Sequence, residues 1–151
     1  MRIIGFAIKK VSAERKNPIK DKLEIKSGLN IDDISQEELN LSAKPSLKFD
    51  FTFSIDYQPD IAKVEIQGAV IAIDDQNEGE EIIKDWKKKK FSHSSKLGLF
   101  NFIMDKCNLK SLHLEEEIGL PFHIPFPKLT PASKQENIKD SKENNPANYA
   151  G

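Results

Sequence analysis

Strict alternation of apolar and polar residues over positions 47–57, LKFDFTFSIDY, constrains the fold of this chain more than any other feature. A β-strand points successive side chains to opposite faces, so this period of two predicts a strand with one buried and one solvated face. Phe49, Phe51 and Phe53 would form a continuous apolar wall on the buried face. A slip of one residue would expose that wall to water, so the register of the strand is strongly fixed.

A second strand is predicted at residues 61–73, IAKVEIQGAVIAI, after a turn at Pro59. Its first half alternates, whereas its second half is apolar on both faces. Gly68 stands where the pattern changes, which predicts a bulge or a close backbone approach. A helix, a partner chain or a ligand could cover the second apolar face. We expect Ile71 and Ile73 on that face to lie at a subunit contact.

The rest of the folded part is predicted to hold two further strands and two helices. Strands are expected at residues 3–11 and 22–27, with a connecting stretch at 29–43 in which Ser35 and Glu38 could cap a single helical turn. The first helix is predicted at 78–90, with Ile82, Ile83 and Trp86 on one stripe. The second is predicted at 94–107, followed by a short turn near 111–117. Its apolar face would comprise Leu97, Phe100, Ile103, Met104 and Cys107. Leu99 and Phe102 lie outside that stripe, so the buried surface is expected to be wide.

Residues 120–129, LPFHIPFPKL, are apolar but contain three prolines, which exclude a helix or a central strand. An extended segment laid along a surface is expected there. Residues 130–151 are mostly polar and are predicted to be a disordered tail. The sequence therefore predicts one α+β domain at residues 1–129, with a four-stranded antiparallel sheet packed against two C-terminal helices.

The sequence shows little sign of a catalytic site or a metal site. Cys107, His93, His113 and His123 lack metal-ligand spacing, and the glycines are scattered singly instead of forming a phosphate loop. The acid clusters at 74–75 and 115–117 are expected at solvated ends of elements. We predict no catalytic residue, no metal and no cofactor, and the chain is not expected to be an enzyme.

Nucleic-acid binding is the weaker alternative, because the net charge is −1 and the chain has only two arginines. The lysines at 87–90 are interpreted as a solvated, dipole-favoured helix end. Surplus apolar side chains are more informative, because exposed apolar faces mark partner surfaces. We expect a client or partner to bind at Trp86, Phe122, Ile124 and Phe126.

Three stretches resemble the SecB export-chaperone family: FAIKKVSAERKNP (6–18), KFDFTFSIDYQPDIAKVEIQGAVIAI (48–73) and GLPFHIPFPKL (119–129). They are similar to the first strand, the central hairpin and the segment after the last helix of that family. The EEIIKDWKKKK stretch (80–90) and the near-zero net charge depart from it. The resemblance is therefore to a divergent SecB-like protein, for example an archaeal one.

This resemblance implies an ATP-independent holdase, a chaperone that binds unfolded or extended apolar polypeptides and takes part in protein transport. It also implies a homo-oligomer, a dimer or a tetramer. The alternative is a non-catalytic structural subunit that binds one folded protein partner in a larger assembly. A cytoplasmic location is expected, because the N-terminus is a poor signal peptide and no apolar run could span a membrane.

Overall fold

The structure, a computed structural model, describes residues 1–38, 44–75, 78–92 and 96–131. Four antiparallel strands form one sheet: β1 (Arg2–Arg15), β2 (Glu24–Glu37), β3 (Ser46–Gln58) and β4 (Ala62–Ile73). Two helices follow, α1 (Gly79–Lys87) and α2 (Leu97–Ile118). The strand order is β1-β4-β3-β2, so β3 and β4 are central and β1 and β2 are edges. The predicted α+β class and its four-stranded sheet are confirmed.

The alternating side chains of β3 build the core, as the sequence predicts. In the β3–β4 register, Phe49 pairs with Val70, Phe53 with Ile66 and Ile55 with Val64, so the apolar sets of the two strands share one face. Those side chains are fully buried, and α2 contributes Ile103 and Cys107 to the same core. Burying each of them stabilises the fold by about 1.5–3 kcal/mol, which makes this face the main source of stability.

Gly68 lies at the close backbone approach that the sequence predicts. A Cβ atom at this position would lie 2.5 Å from the Ala7 carbonyl oxygen and 2.7 Å from Cζ of Phe51. On the neighbouring strand the register shifts between Ile8 and Lys10. The missing side chain thus lets β1 and the Phe51 ring approach β4 where a bulge interrupts the pairing.

We expect Gly68→Ala to destabilise the protein by about 1–3 kcal/mol, because the backbone of β1 cannot move aside cheaply. Gly28 is a matched control in β2, since a Cβ there meets nothing within 4 Å. Gly28→Ala should leave stability unchanged within about 0.5 kcal/mol. Urea unfolding of the two variants checks this, and equal midpoints would contradict it.

Strand β2 is longer than predicted: the sequence predicted a strand only at 22–27 and a connecting stretch at 29–43. The strand continues to Glu37, so Ser35 lies within a strand and caps no helical turn. The register shifts between Ile31 and Asp33, where Ile31 pairs with Phe51 and Ile34 pairs with Phe49. This bulge moves the inward positions from odd to even numbers, and so it interrupts the alternation that would have revealed the strand.

Helix α1 is shorter than predicted, and the buried side chain of Asp74, which precedes the helix, contacts its first turn. The Asp74 side chain accepts hydrogen bonds from the backbone N–H groups of Glu78 (3.1 Å) and Gly79 (2.7 Å). The expectation that Asp74 is solvated is therefore wrong: it satisfies N–H groups that the first turn of a helix leaves without partners.

Helix α2 extends eleven residues beyond the predicted end at Cys107, so the short turn predicted near 111–117 lies within the helix. Leu97, which was predicted on the buried face, is exposed. Leu99 is buried and Phe102 is half-buried, in agreement with the predicted wide buried surface. The buried stripe contains two polar residues in its second half, and this is why apolar periodicity failed to extend the helix. Its members are Leu99, Phe100, Ile103, Cys107, Ser111 and Glu115.

Gly119 ends α2 in the left-handed conformation, with φ of 66°, and the Leu120 N–H donates to the Glu115 carbonyl oxygen at 2.8 Å. This termination directs the following chain back towards the sheet. The predicted disordered tail falls almost entirely on residues 132–151, which lie outside the described residues. No helix in the described ranges is long and apolar enough to cross a membrane.

Candidate functional site

Residues 120–129, here called the post-helix segment, form no helix or strand and bend at His123 and Ile124. The segment is attached to the domain at its start. The Tyr57 hydroxyl donates to the Pro121 carbonyl oxygen at 2.7 Å. The His123 ring lies edge-on to Phe53, with ring centroids 6.5 Å apart. Leu120 is buried in the core. The first four residues of the segment are thus tied to the end of β3.

A buried set of three polar side chains, here called the polar anchor, holds this segment against α2. It consists of Asn108, Glu115 and His123. The His123 backbone N–H donates to Oε2 of Glu115 at 3.3 Å, and ring atom Nδ1 lies 2.5 Å from Oε1. Ring atom Nε2 lies 2.9 Å from Oδ1 of Asn108. Both the Glu115 and the His123 side chains are removed from water, at 0% and 3% exposure.

The polar anchor corrects the expectation that the acids at 115–117 are all solvated. Glu116 and Glu117 are exposed, but Glu115 faces the core. Burial, and then the hydrogen bond and negative charge of Glu115, raise the pKa of Tyr57 above its ordinary value. The phenol therefore remains protonated and continues to donate to the post-helix segment.

The His123 ring is held inward, whereas the apolar side chains on either side of it are exposed. The chain bends at His123 and Ile124, which brings Phe122 and Phe126 together although they are four positions apart. Phe122, Ile124 and Phe126 are 43%, 36% and 52% exposed. The Phe122 and Phe126 rings meet edge to face at a centroid distance of 5.1 Å. The structure thus places all three predicted binding residues of this segment on the surface as one apolar patch.

Trp86 lies in a separate depression, here called the Trp86 groove. Its ring meets Phe91 edge to face at 6.1 Å, and Phe91 in turn contacts Phe100 at 6.4 Å. The groove has a volume of about 590 Å³. It is lined by Asn30, Ile31, Asp33, Ile34, Trp86, Lys87, Lys89 and Phe91.

The post-helix segment and the Trp86 groove lie against different strands. The groove is lined by Ile31 and Ile34 of β2. The post-helix segment contacts Phe53 and Tyr57 of β3. The predicted binding residues are therefore arranged as two apolar areas instead of one pocket.

Ile71 and Ile73, predicted at a subunit contact, lie in different environments. Ile73 is only 7% exposed within this chain. Ile71 is half-buried on the sheet face away from the core, where it lies against Gly5. The same face carries ion pairs of Lys9 with Asp50 and of Lys10 with Glu65. A contact through this face stays a prediction, and Ile71 is the better placed of the two.

Cys107 is fully buried, as its place on the helix face predicts. Burial raises the pKa of its thiol to about 12, so almost none is the reactive thiolate at neutral pH. Within the described ranges, no group of three or more His, Cys, Asp or Glu side chains is arranged to hold a metal ion. His93 lies outside those ranges.

We expect the Cys107 thiol to react with a soluble disulfide reagent at least about a thousandfold more slowly in the folded protein than in urea. The raised pKa and the loss of solvent contact act in the same direction. Measuring the labelling rate at pH 8, with and without urea, checks this. A folded-state rate within tenfold of the unfolded one would contradict it.

The four-stranded antiparallel sheet and two following helices form a SecB-like α+β fold. Comparison with solved structures finds a SecB-like chaperone of Mycobacterium tuberculosis, in complex with a ChAD peptide from the HigA1 antitoxin. The TM-score is 0.53 at 12% sequence identity, and the match covers 86% of this chain and 91% of that one. No protein-family profile and no curated protein matches the sequence. The structural likeness shows the fold.

Sequence reasoning located the exposed apolar residues but missed the polar anchor. Ser111 and Glu115 continue the buried stripe of α2 after Cys107 at intervals of four residues. Extending the predicted helix would have placed Glu115 inward. No sequence signal pairs it with His123, because that contact forms only when the chain reverses at Gly119.

Proposed function

We propose that this protein is an ATP-independent holdase chaperone that binds unfolded or extended apolar polypeptide segments. One observation carries the proposal: an apolar patch of Phe122, Ile124 and Phe126 is held outward on a segment whose other side is tied down by buried polar contacts. A rigidly presented apolar patch loses little conformational entropy on binding, which favours capture of flexible clients.

The structural neighbour supports this proposal, because it is a chaperone that was solved with a bound peptide. We further propose that the protein works in the cytoplasm as a dimer or tetramer, with Ile71 at the subunit contact. A mass of about 17 kDa by light scattering at micromolar concentration would refute the oligomer.

Light scattering from a chemically denatured client, diluted into buffer with and without the protein, tests the proposal. We expect suppression of aggregation at a few-fold molar excess, without added nucleotide. No suppression at tenfold excess would refute the holdase. Capture of one folded partner at fixed stoichiometry, without binding of denatured clients, would instead favour a structural subunit of an assembly.

A further inference from the structure

Four consecutive lysines follow Trp86 at positions 87–90, here called the lysine rim, and Lys87 and Lys89 among them line the Trp86 groove. Their side chains are exposed. Within the described ranges, no carboxylate oxygen lies within 4.0 Å of any of these four ammonium groups. Eight other lysines do form ion pairs: Lys9, Lys10, Lys16, Lys26, Lys44, Lys48, Lys63 and Lys96. The rim is thus a concentrated positive charge that the described residues do not neutralise.

The lysine side chains are not required to complete the end of α1. The backbone N–H groups of Lys88, Lys89 and Lys90 already donate to the carbonyl oxygens of Lys84, Trp86 and Asp85, at 3.1, 3.0 and 2.8 Å. These bonds satisfy the carbonyl groups that the last turn of a helix otherwise leaves without partners.

Lys89 in addition adopts a backbone conformation that favours glycine, with φ of 56°. A residue with a side chain is strained there by about 1 kcal/mol. A strained lysine next to a groove suggests that its charge has a use that glycine could not supply. Two acids lie nearby, Asp33 in the groove lining and Asp85 on α1, and the lysines outnumber them.

The floor of the groove suits an extended polypeptide. Ile31, Ile34, Trp86 and Phe91 offer branched aliphatic and aromatic surface for a large apolar side chain. β2 is an edge of the sheet, so its outer backbone groups can pair with an added extended chain. Neither arginine of the chain lines the groove, which disfavours phosphate recognition.

We propose that the Trp86 groove selects extended polypeptide segments in which acidic residues flank a large apolar side chain. This rests on the proposed holdase function and adds a charge preference to it. The apolar side chain enters the groove between Ile34 and Trp86, and the acidic residues pair with the lysine rim. Because the rim is exposed, the preference should weaken as salt rises.

Fluorescence anisotropy with three labelled peptides tests this proposal. The peptides share one apolar centre of Leu and Phe and differ only in flanking glutamates, serines or lysines. We expect the acidic peptide to bind about tenfold more tightly than the neutral one at low salt, with the difference largely lost at about 0.5 M salt. The lysine-flanked peptide should bind most weakly.

A variant with Lys87→Ala, Lys88→Ala, Lys89→Gly and Lys90→Ala should abolish the preference while still binding the neutral peptide. Glycine at position 89 removes the lysine charge and also relieves the strained φ angle. This variant should therefore fold. A matched control replaces four exposed lysines elsewhere with alanine and should keep the preference. Those control positions are Lys20, Lys22, Lys106 and Lys110.

Equal affinity for all three peptides would overturn the charge preference and leave the holdase proposal standing. Failure to bind any of the three would count against both proposals. A single-stranded RNA that displaces the acidic peptide, and that loses binding in the same lysine variant, would assign the rim to nucleic acid instead.

Discussion

Replacing His123 with alanine should lower the free energy of unfolding by about 3 kcal/mol, because the buried Glu115 side chain would lose the His123 ring and keep only the backbone N–H of residue 123. Such a loss is a large share of the stability of a typical domain. Urea unfolding followed by circular dichroism measures it. His113→Ala is the matched control, since His113 is an exposed residue of α2, two positions before Glu115, and should have almost no effect.

A double replacement distinguishes the cost of burying the polar Glu115 side chain alone from the loss of its packing contact with His123. Glu115→Leu with His123→Leu removes both polar groups and fills a similar volume, so it should cost less than His123→Ala alone. If His123→Ala costs below about 1 kcal/mol, or if the effects at the two positions add, the polar anchor does not hold the post-helix segment.

Removing the exposed apolar patch should strongly weaken client binding without unfolding the protein. Phe122→Ser, Ile124→Ser and Phe126→Ser together delete contacts worth about 2–4 kcal/mol, which corresponds to affinity about 30- to 1000-fold weaker. Stability should hardly change, because these side chains are already largely in water. Titration of a labelled, permanently unfolded client measures the affinity, and urea unfolding confirms the fold.

The control for this variant removes an equal number of exposed apolar side chains elsewhere. Ile19→Ser, Leu97→Ser and Leu109→Ser meet this condition, since all three are at least 39% exposed. Client affinity should stay within about twofold of the unsubstituted protein. Equal losses in both triple variants would mean that any exposed apolar surface binds clients, and the post-helix segment would then have no special part.

The central hairpin could be predicted from the sequence because each of its residues obeys one simple period. Phe49, Phe51 and Phe53 reveal the strand, and Gly68 marks the close approach. The second half of β2 was not predicted, because a bulge puts Ile34 out of phase with Ile31 in the alternating pattern. A single inserted residue thus breaks the apolar–polar alternation of the sequence, although the side chains of the strand still alternate between core and solvent in the structure.

The site could be predicted only in part, for a different reason. The prolines of residues 120–129 exclude regular structure, and the apolar residues there point to a surface segment. The sequence does not reveal which side chains turn outward, because this depends on His123 finding Glu115 across the end of α2. Polar contacts between distant positions leave no periodic trace, and so Glu115 was expected in water.

Site-specific photo-crosslinking tests the central claim most directly. A photoreactive phenylalanine analogue is placed singly at Phe122, Phe126 or Leu109, and each protein is illuminated with the unfolded client. We predict strong crosslinks from positions 122 and 126 and few from 109, although all three side chains are at least 43% exposed. Equal crosslinking from all three positions, or none from 122 and 126, would contradict the claim that the post-helix segment binds clients.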